Sequence, residues 1–240
     1  MAVKVYFCDL IIWAFACSQL VLPFTGYIYL LINLIIFHFA DERLDLAFLI
    51  DGSATLSNAG FQASKVFIKA LYSNFPIGED STHVALVVYG KDPHVVFNLI
   101  GNTDKESVDK KLLSTANPSS DTNFMGRGLK TVKEKVYEVS ARPGGHQVLV
   151  VLVAGKSLDD VKAPSRLLRD EGVKIFCVGI GDKVDVEQLR DIVSVPEEEH
   201  FAAASSGQLG NLLSPMVQNI RKGKPIETFR YLVQASVKYF

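Results

Sequence analysis

The sequence predicts an α/β fold: a doubly wound, mostly parallel six-stranded sheet with one antiparallel edge strand and helices on both faces. Three observations carry this. From residue 44 onward, short apolar runs alternate with stretches of helical periodicity, the pattern of βαβ units. The apolar runs are continuous rather than alternating, as strands covered on both faces must be. Residues 82–89 and 94–99 are separated only by Gly90-Lys-Asp-Pro93, too short for a crossover, so they form a hairpin that supplies the antiparallel edge.

Residues 44–50, Leu-Asp-Leu-Ala-Phe-Leu-Ile, read as a first, doubly buried strand. Residues 58–74 place Phe61, Val66, Phe67, Ala70 and Leu71 near helical spacing. The hairpin comes next, then a short helix over 104–113 and a longer one over 123–139 with Leu129, Val132 and Val136 on one face. Residues 147–153 are a β-branched central strand. A helix over 164–170 starts on Pro164, favoured at a first helical position, and stops at Gly172. A strand at 173–180, a short helix at 184–193, an edge strand at 200–203 and a helix at 206–221 complete the domain.

That domain spans 41–222 of the 240 residues, with an apolar segment before it and a linker or truncated tail at 223–240, strand-like over 229–237. Residues 10–39 hold no Asp, Glu, Lys or Arg, a length beyond the roughly 20 apolar residues of a membrane-crossing helix. Ser18-Gln19, Pro23 and Gly26 interrupt the stretch. Three readings of residues 1–40 stand side by side. The first is a signal peptide over 4–16, with Ala14-Phe15-Ala16 resembling a cleavage site and Asp9 counting against it. The second is a membrane anchor over 21–39, and the third a gene-prediction artefact joined to a real domain. Lys4 before the segment and Asp41-Glu42 after it favour an outside location for the domain.

Composition narrows the function classes. The net charge is −1 and no basic run or aromatic–basic interleaving occurs, which argues against a nucleic-acid partner. Of three cysteines, only Cys177 lies in the globular part, inside an apolar strand, so no disulfide framework forms there. The five histidines show no ligand spacing. The acidic run at 197–199 reads as a solvated loop.

In an open α/β sheet, ligands bind beyond the carboxyl ends of the strands. Asp51-Gly-Ser53-Ala-Thr55 follows the first strand, Asp121-Thr122-Asn123 precedes the long middle helix, and Ala154-Gly-Lys-Ser157 follows the central strand. Asp51, Ser53 and Thr55, at alternate positions of a turning loop, can face one centre. Such hard oxygen ligands suit Mg²⁺, which retains some waters and leaves a position for a partner's carboxylate. The same residues admit a second reading: Asp51 caps the turn, and Ser53 and Thr55 satisfy backbone donors.

Asp51-x-Ser53-x-Thr55 resembles the Asp-x-Ser-x-Ser motif of von Willebrand A domains, the metal-ion-dependent adhesion site. Thr122, in Asp-Thr-Asn-Phe-Met-Gly-Arg-Gly, matches that family's second-loop threonine. The stretches at 141–144, 155–161 and 196–200 resemble the extracellular-matrix branch, the matrilins and the fibril-associated and type VI collagens. The resemblance runs from about residue 45 to 220. It implies an adhesion or assembly module outside the cell that binds matrix proteins such as collagens or other A domains, and not an enzyme. It also implies a degenerate metal site of Asp51, Ser53, Thr55 and Thr122. Ala154 stands where the family carries an aspartate, and Phe124 where it carries a second threonine. With one carboxylate remaining, Mg²⁺ is expected to bind weakly. Lys156 offers an alternative, an ion pair with Asp51 in place of the cation.

Two competitors remain. One is a fully metal-dependent adhesion domain that takes a partner carboxylate. The other is an α/β enzyme acting on a phosphate-containing substrate. That enzyme would want a second acidic residue at position 53 or a glycine-rich loop after the first strand, and 52–57 contain one glycine.

Overall fold

The computed structural model describes residues 43–101 and 104–222. The signal-peptide, anchor and gene-artefact readings of 1–40 and the tail at 223–240 lie outside the described residues. Among the described residues, no helix is long and apolar enough to cross a membrane.

The strands are β1 (Leu44–Asp51), β2 (His83–Tyr89), β3 (His94–Phe97), β4 (His146–Val153), β5 (Lys174–Ile180) and β6 (Phe201–Ala204). They form one six-stranded sheet in the order β3-β2-β1-β4-β5-β6. Every pairing is parallel except β2–β3. The chain therefore winds outward from β1 in one direction, returns to β4, and winds outward the other way. The switch lies between β1 and β4, where a ligand crevice is expected in such sheets.

Both faces of the sheet are covered, which explains the unbroken apolar runs. Leu46, Phe48 and Ile50 of β1 point to one core, shared with α1 (Asn58–Tyr72), α2 (Lys105–Ser114) and the last helix. Ala47 and Leu49 point to the other, shared with α3 (Met125–Val132), α4 (Lys162–Asp170) and α5 (Val186–Arg190). A short α6 (Glu197–His200) precedes β6, and α7 (Leu213–Lys222) comes after a 3₁₀ segment at Ser206–Leu212.

Several expected boundaries shift for physical reasons. The long middle helix does not run unbroken from 123 to 139: α3 begins after Phe124, passes through a π turn at Lys133–Tyr137 and ends in a turn at Glu138–Ser140. The helix expected from Pro164 begins earlier, at Lys162, because the Asp160 carboxylate accepts from Lys162 N at 2.9 Å. Pro164 still sits in the first turn, where its missing N–H costs nothing. The acidic run expected as a loop forms α6, with carboxylates at the end of the helix that favours them.

At the amino end of the sheet, Asp45 is fully buried and meets Arg142 from the loop before β4. Arg142 Nε and backbone N donate to the two Asp45 oxygens at 2.9 and 2.8 Å. The guanidinium also donates to the carbonyls of Glu79 (3.0 Å), Ser81 (2.6 Å) and Leu44 (3.2 Å). One side chain thus ties the starts of β1, β2 and β4 together.

Candidate binding site at the carboxyl edge of the sheet

β1 ends in Asp51, in register with Tyr89 at the end of β2. The next turn is forced tight at Gly52: a Cβ there would lie 2.7 Å from Pro118 Cγ and from Val88 Cγ1. Ser53 then forms a parallel bridge with Ser120, closed by Ala54 N donating to Ser120 O (2.7 Å) and Ser120 N to Gly52 O (2.9 Å). These bonds bring the second loop beside the first across nearly seventy residues of chain.

Asp51 is the hub. Its side chain is fully buried. Oδ1 accepts from Ser53 N at 2.8 Å, and Oδ2 accepts from Asn123 Nδ2 and from Ala154 N, both at 3.0 Å. The three loops thus meet on one carboxylate, in the crevice between β1 and β4. Burial pushes the Asp51 pKa above the usual carboxylate value, opposed by the hydrogen bonds it accepts from Ser53 and Ala154 and by the Tyr89 hydroxyl beside it. Ser53 Oγ, Tyr89 Oη and Asn123 Oδ1 are buried around this centre without a hydrogen-bond partner.

Of the residues singled out from sequence, Ser53 is 2% exposed and adjoins Asp51. Thr55 is exposed and packs on the third loop, where a Cβ on Gly155 would lie 2.9 Å from its Cγ2. The Thr122 hydroxyl lies 3.3 Å from Ser120 Oγ, and it is the neighbouring Asn123 that reaches Asp51. Ala154 is buried and contributes its backbone N–H. Lys156 pairs with Asp185 at 2.8 Å rather than with Asp51.

Sequence reasoning missed a second layer of contacts. Ser157 Oγ accepts from Met125 N at 2.9 Å, and the two Asp159 oxygens accept from Gly126 N and Arg127 N at 2.8 Å. The third loop therefore caps the amino end of α3, supplying the acceptors that Phe124, at the N-cap position, lacks. Gln188 of α5 accepts from Ser157 N (2.7 Å) and donates to Ser157 O (3.1 Å). The available signal was Phe124 itself, an apolar residue at a helix start, which obliges acceptors to come from elsewhere.

The same architecture occurs in known proteins. Residues 45–215 match the model of the von Willebrand factor type A domain. The chain belongs to that family. It is 29% identical to the collagen alpha-1(XII) chain of Notophthalmus viridescens over 181 residues, 74% of this chain and 19% of that one. It is 29% identical to matrilin-3 of Gallus gallus over 180 residues, 72% of this chain and 39% of that one. The chain thus spans less than two fifths of the length of these relatives. Among solved structures, proximal thread matrix protein 1 from the mussel byssus superimposes with a TM-score of 0.71 at 22% identity, over 75% of this chain and 48% of that one. A further structure of the mussel protein has zinc in its adhesion-site motif. The A-domain fold is thereby established for this chain, and its relatives by sequence include collagens and matrilins.

Proposed function

We propose that this A domain is an extracellular adhesion or assembly module, not an enzyme. It docks matrix proteins such as collagens or other A domains through the rim where the three loops meet, with weak or no dependence on Mg²⁺. Residues 1–40 serve in this reading as its signal peptide or membrane anchor. The observation that carries the proposal is the convergence of all three loops on Asp51. The collagens and matrilins among its relatives supply the partner class.

A divalent cation needs several hard oxygen donors and enough negative charge to offset its dehydration. Here the site offers one carboxylate, whose two oxygens already accept three hydrogen bonds. Ala154 brings a methyl and no side-chain oxygen to the third loop, and its backbone N–H is already spent on Asp51 Oδ2. The residues do not fit a tightly held Mg²⁺. One observation favours the metal-dependent alternative: Ser53 Oγ is buried without a partner beside Asp51, as a metal-ligating hydroxyl would be.

The test is capture of matrix proteins by the full chain, with and without chelator. Equal capture in both supports the proposal, and capture lost on chelation supports the metal-dependent alternative. Capture of nothing, together with turnover of a phosphoester, would overturn both in favour of an enzyme.

A further inference from the structure

We propose that hydrogen bonds within this chain take over the loop-joining role of a bound cation, so the rim is preorganised without metal and presents one shape to a partner. The inference rests on the metal-independent reading above and says how that independence is achieved.

Three joints hold the loops, two connecting them to one another and one tying the third loop to α5. The first is Asp51, which holds the second loop through Asn123 Nδ2 and the third through Ala154 N. The second is the cap on α3, where Ser157 and Asp159 take three successive backbone donors at 2.8–2.9 Å. Ser157 Oγ itself donates to Asp159 Oδ1 at 2.6 Å, so the two capping groups hold each other in place. The third is the Ser157 backbone, gripped from both sides by the Gln188 amide. Leu158 N closes the set by donating to Asn123 O at 2.9 Å.

Steric fit fixes the same arrangement. A Cβ on Gly126 would lie 2.0 Å from Asp160 O, so α3 and the third loop touch backbone to backbone. A cation that bridged these loops would add a link where protein bonds already exist. In such a linked polar network, each bond stabilises its neighbours, and the linked loops open together. A partner meeting such a rim orders few loop residues on binding. Leu158 of the third loop is 68% exposed and offers apolar surface beside these joints.

Hydrogen exchange of the full chain, in chelator and in millimolar Mg²⁺, tests this. Amides of residues 52–56, 120–127 and 154–159 should be protected to the same degree, within about twofold, in both solutions. Asn123→Ala and Asp159→Ala should each lower that protection about tenfold, and Mg²⁺ should not restore it. Wild-type protection that rises about tenfold or more on adding Mg²⁺ would overturn the inference. So would variants whose loops exchange as the wild type does. Protected amides in β4 and β5 certify that a variant is folded; should either variant fail this, the wild-type comparison alone decides. Loops protected in chelator while no matrix protein is captured would sink the proposed function and leave this inference standing. Capture that succeeds while the loops need Mg²⁺ would do the reverse.

Discussion

Ala154→Asp is the substitution that isolates the missing charge. Ala154 is 3% exposed and its N lies 3.0 Å from Asp51 Oδ2. Standard backbone dimensions then put its Cβ about 4–5 Å from the Asp51 carboxylate. Without metal, the new carboxylate is buried beside another, so the variant should lose about 1–3 kcal/mol of stability. With Mg²⁺ the sign reverses. A unit charge about 4 Å from the cation interacts strongly at an effective dielectric near 20, but desolvation cancels most of it. A net gain of about 1.4–2.8 kcal/mol makes binding about 10- to 100-fold tighter. If the wild-type Kd is no tighter than about 1 mM, 1 mM Mg²⁺ stabilises it by at most about 0.4 kcal/mol, against about 1.4–2.7 kcal/mol for the variant. In a domain of this size that separates a shift of about 1 °C from one of about 3–10 °C. Thermal unfolding of both proteins in chelator and in Mg²⁺ gives all four values. Wild-type protein that gains as much as the variant would refute the account of the missing aspartate. Equal indifference in both would show that position 154 does not face the site.

Three further outcomes are expected. Arg142→Ala leaves buried Asp45 with a single backbone donor and should cost about 3–5 kcal/mol in urea titration; removing Arg190 from its exposed pairs with Glu187 and Glu197 should leave the midpoint unmoved. Gly126→Ala drives a methyl into the third-loop backbone and should cost about 1–3 kcal/mol in the same titration; a smaller change would mean that α3 and the loop are not in contact. Stability should also fall as pH drops below about 6.5. Burial lowers the His83 pKa, with Arg142 adding to the effect and Asp45 and Glu79 opposing it, and burial together with Lys174 lowers that of His146. The unfolded chain therefore binds protons that the folded chain refuses, and the slope is bounded at about 1.4 kcal/mol per pH unit for each histidine. A urea midpoint flat between pH 7.5 and pH 5, or unaltered in slope by His83→Gln with His146→Gln, would contradict this assignment.

The sheet was legible because its physics is repetitive. Six strands covered on one or both faces leave apolar runs, and a four-residue turn identifies the one antiparallel pair. Asp51 and Ser53 were legible because a carboxylate and a hydroxyl directly after a buried strand must lie at its carboxyl end. The partners of Asp51 were harder to read. Ala154 acts through its main chain, which leaves no trace in residue type, and Thr122 drew attention from Asn123 because hydroxyls suit a metal loop. The Asp45–Arg142 pair did have a signal: an aspartate inside Leu-Asp-Leu-Ala-Phe-Leu-Ile cannot be buried without a compensating donor. The identity of that donor, ninety-seven residues away, depends on tertiary packing. The π turn after α3 and the 3₁₀ segment before α7 likewise reflect packing rather than local pattern.

β1 carries a buried carboxylate at each end, and the contrast between them bears on what the rim is for. Asp45 meets a guanidinium and three further backbone groups share that guanidinium, so its charge is matched and its location is structural. Asp51 receives only neutral donors, and its pKa stays raised by burial despite them. An aspartate in such a place costs stability that an apolar or amide residue would not. Buried groups kept at that disadvantage collect at functional sites. The disadvantage also lies at the switch between β1 and β4, where such sheets form a ligand crevice. On the function proposed above, this rim is the binding edge, and its carboxylate serves as the internal hub of the three loops. The backbone N–H at position 154 serves that hub whatever the side chain, and the Ala154 methyl adds no second charge beside Asp51.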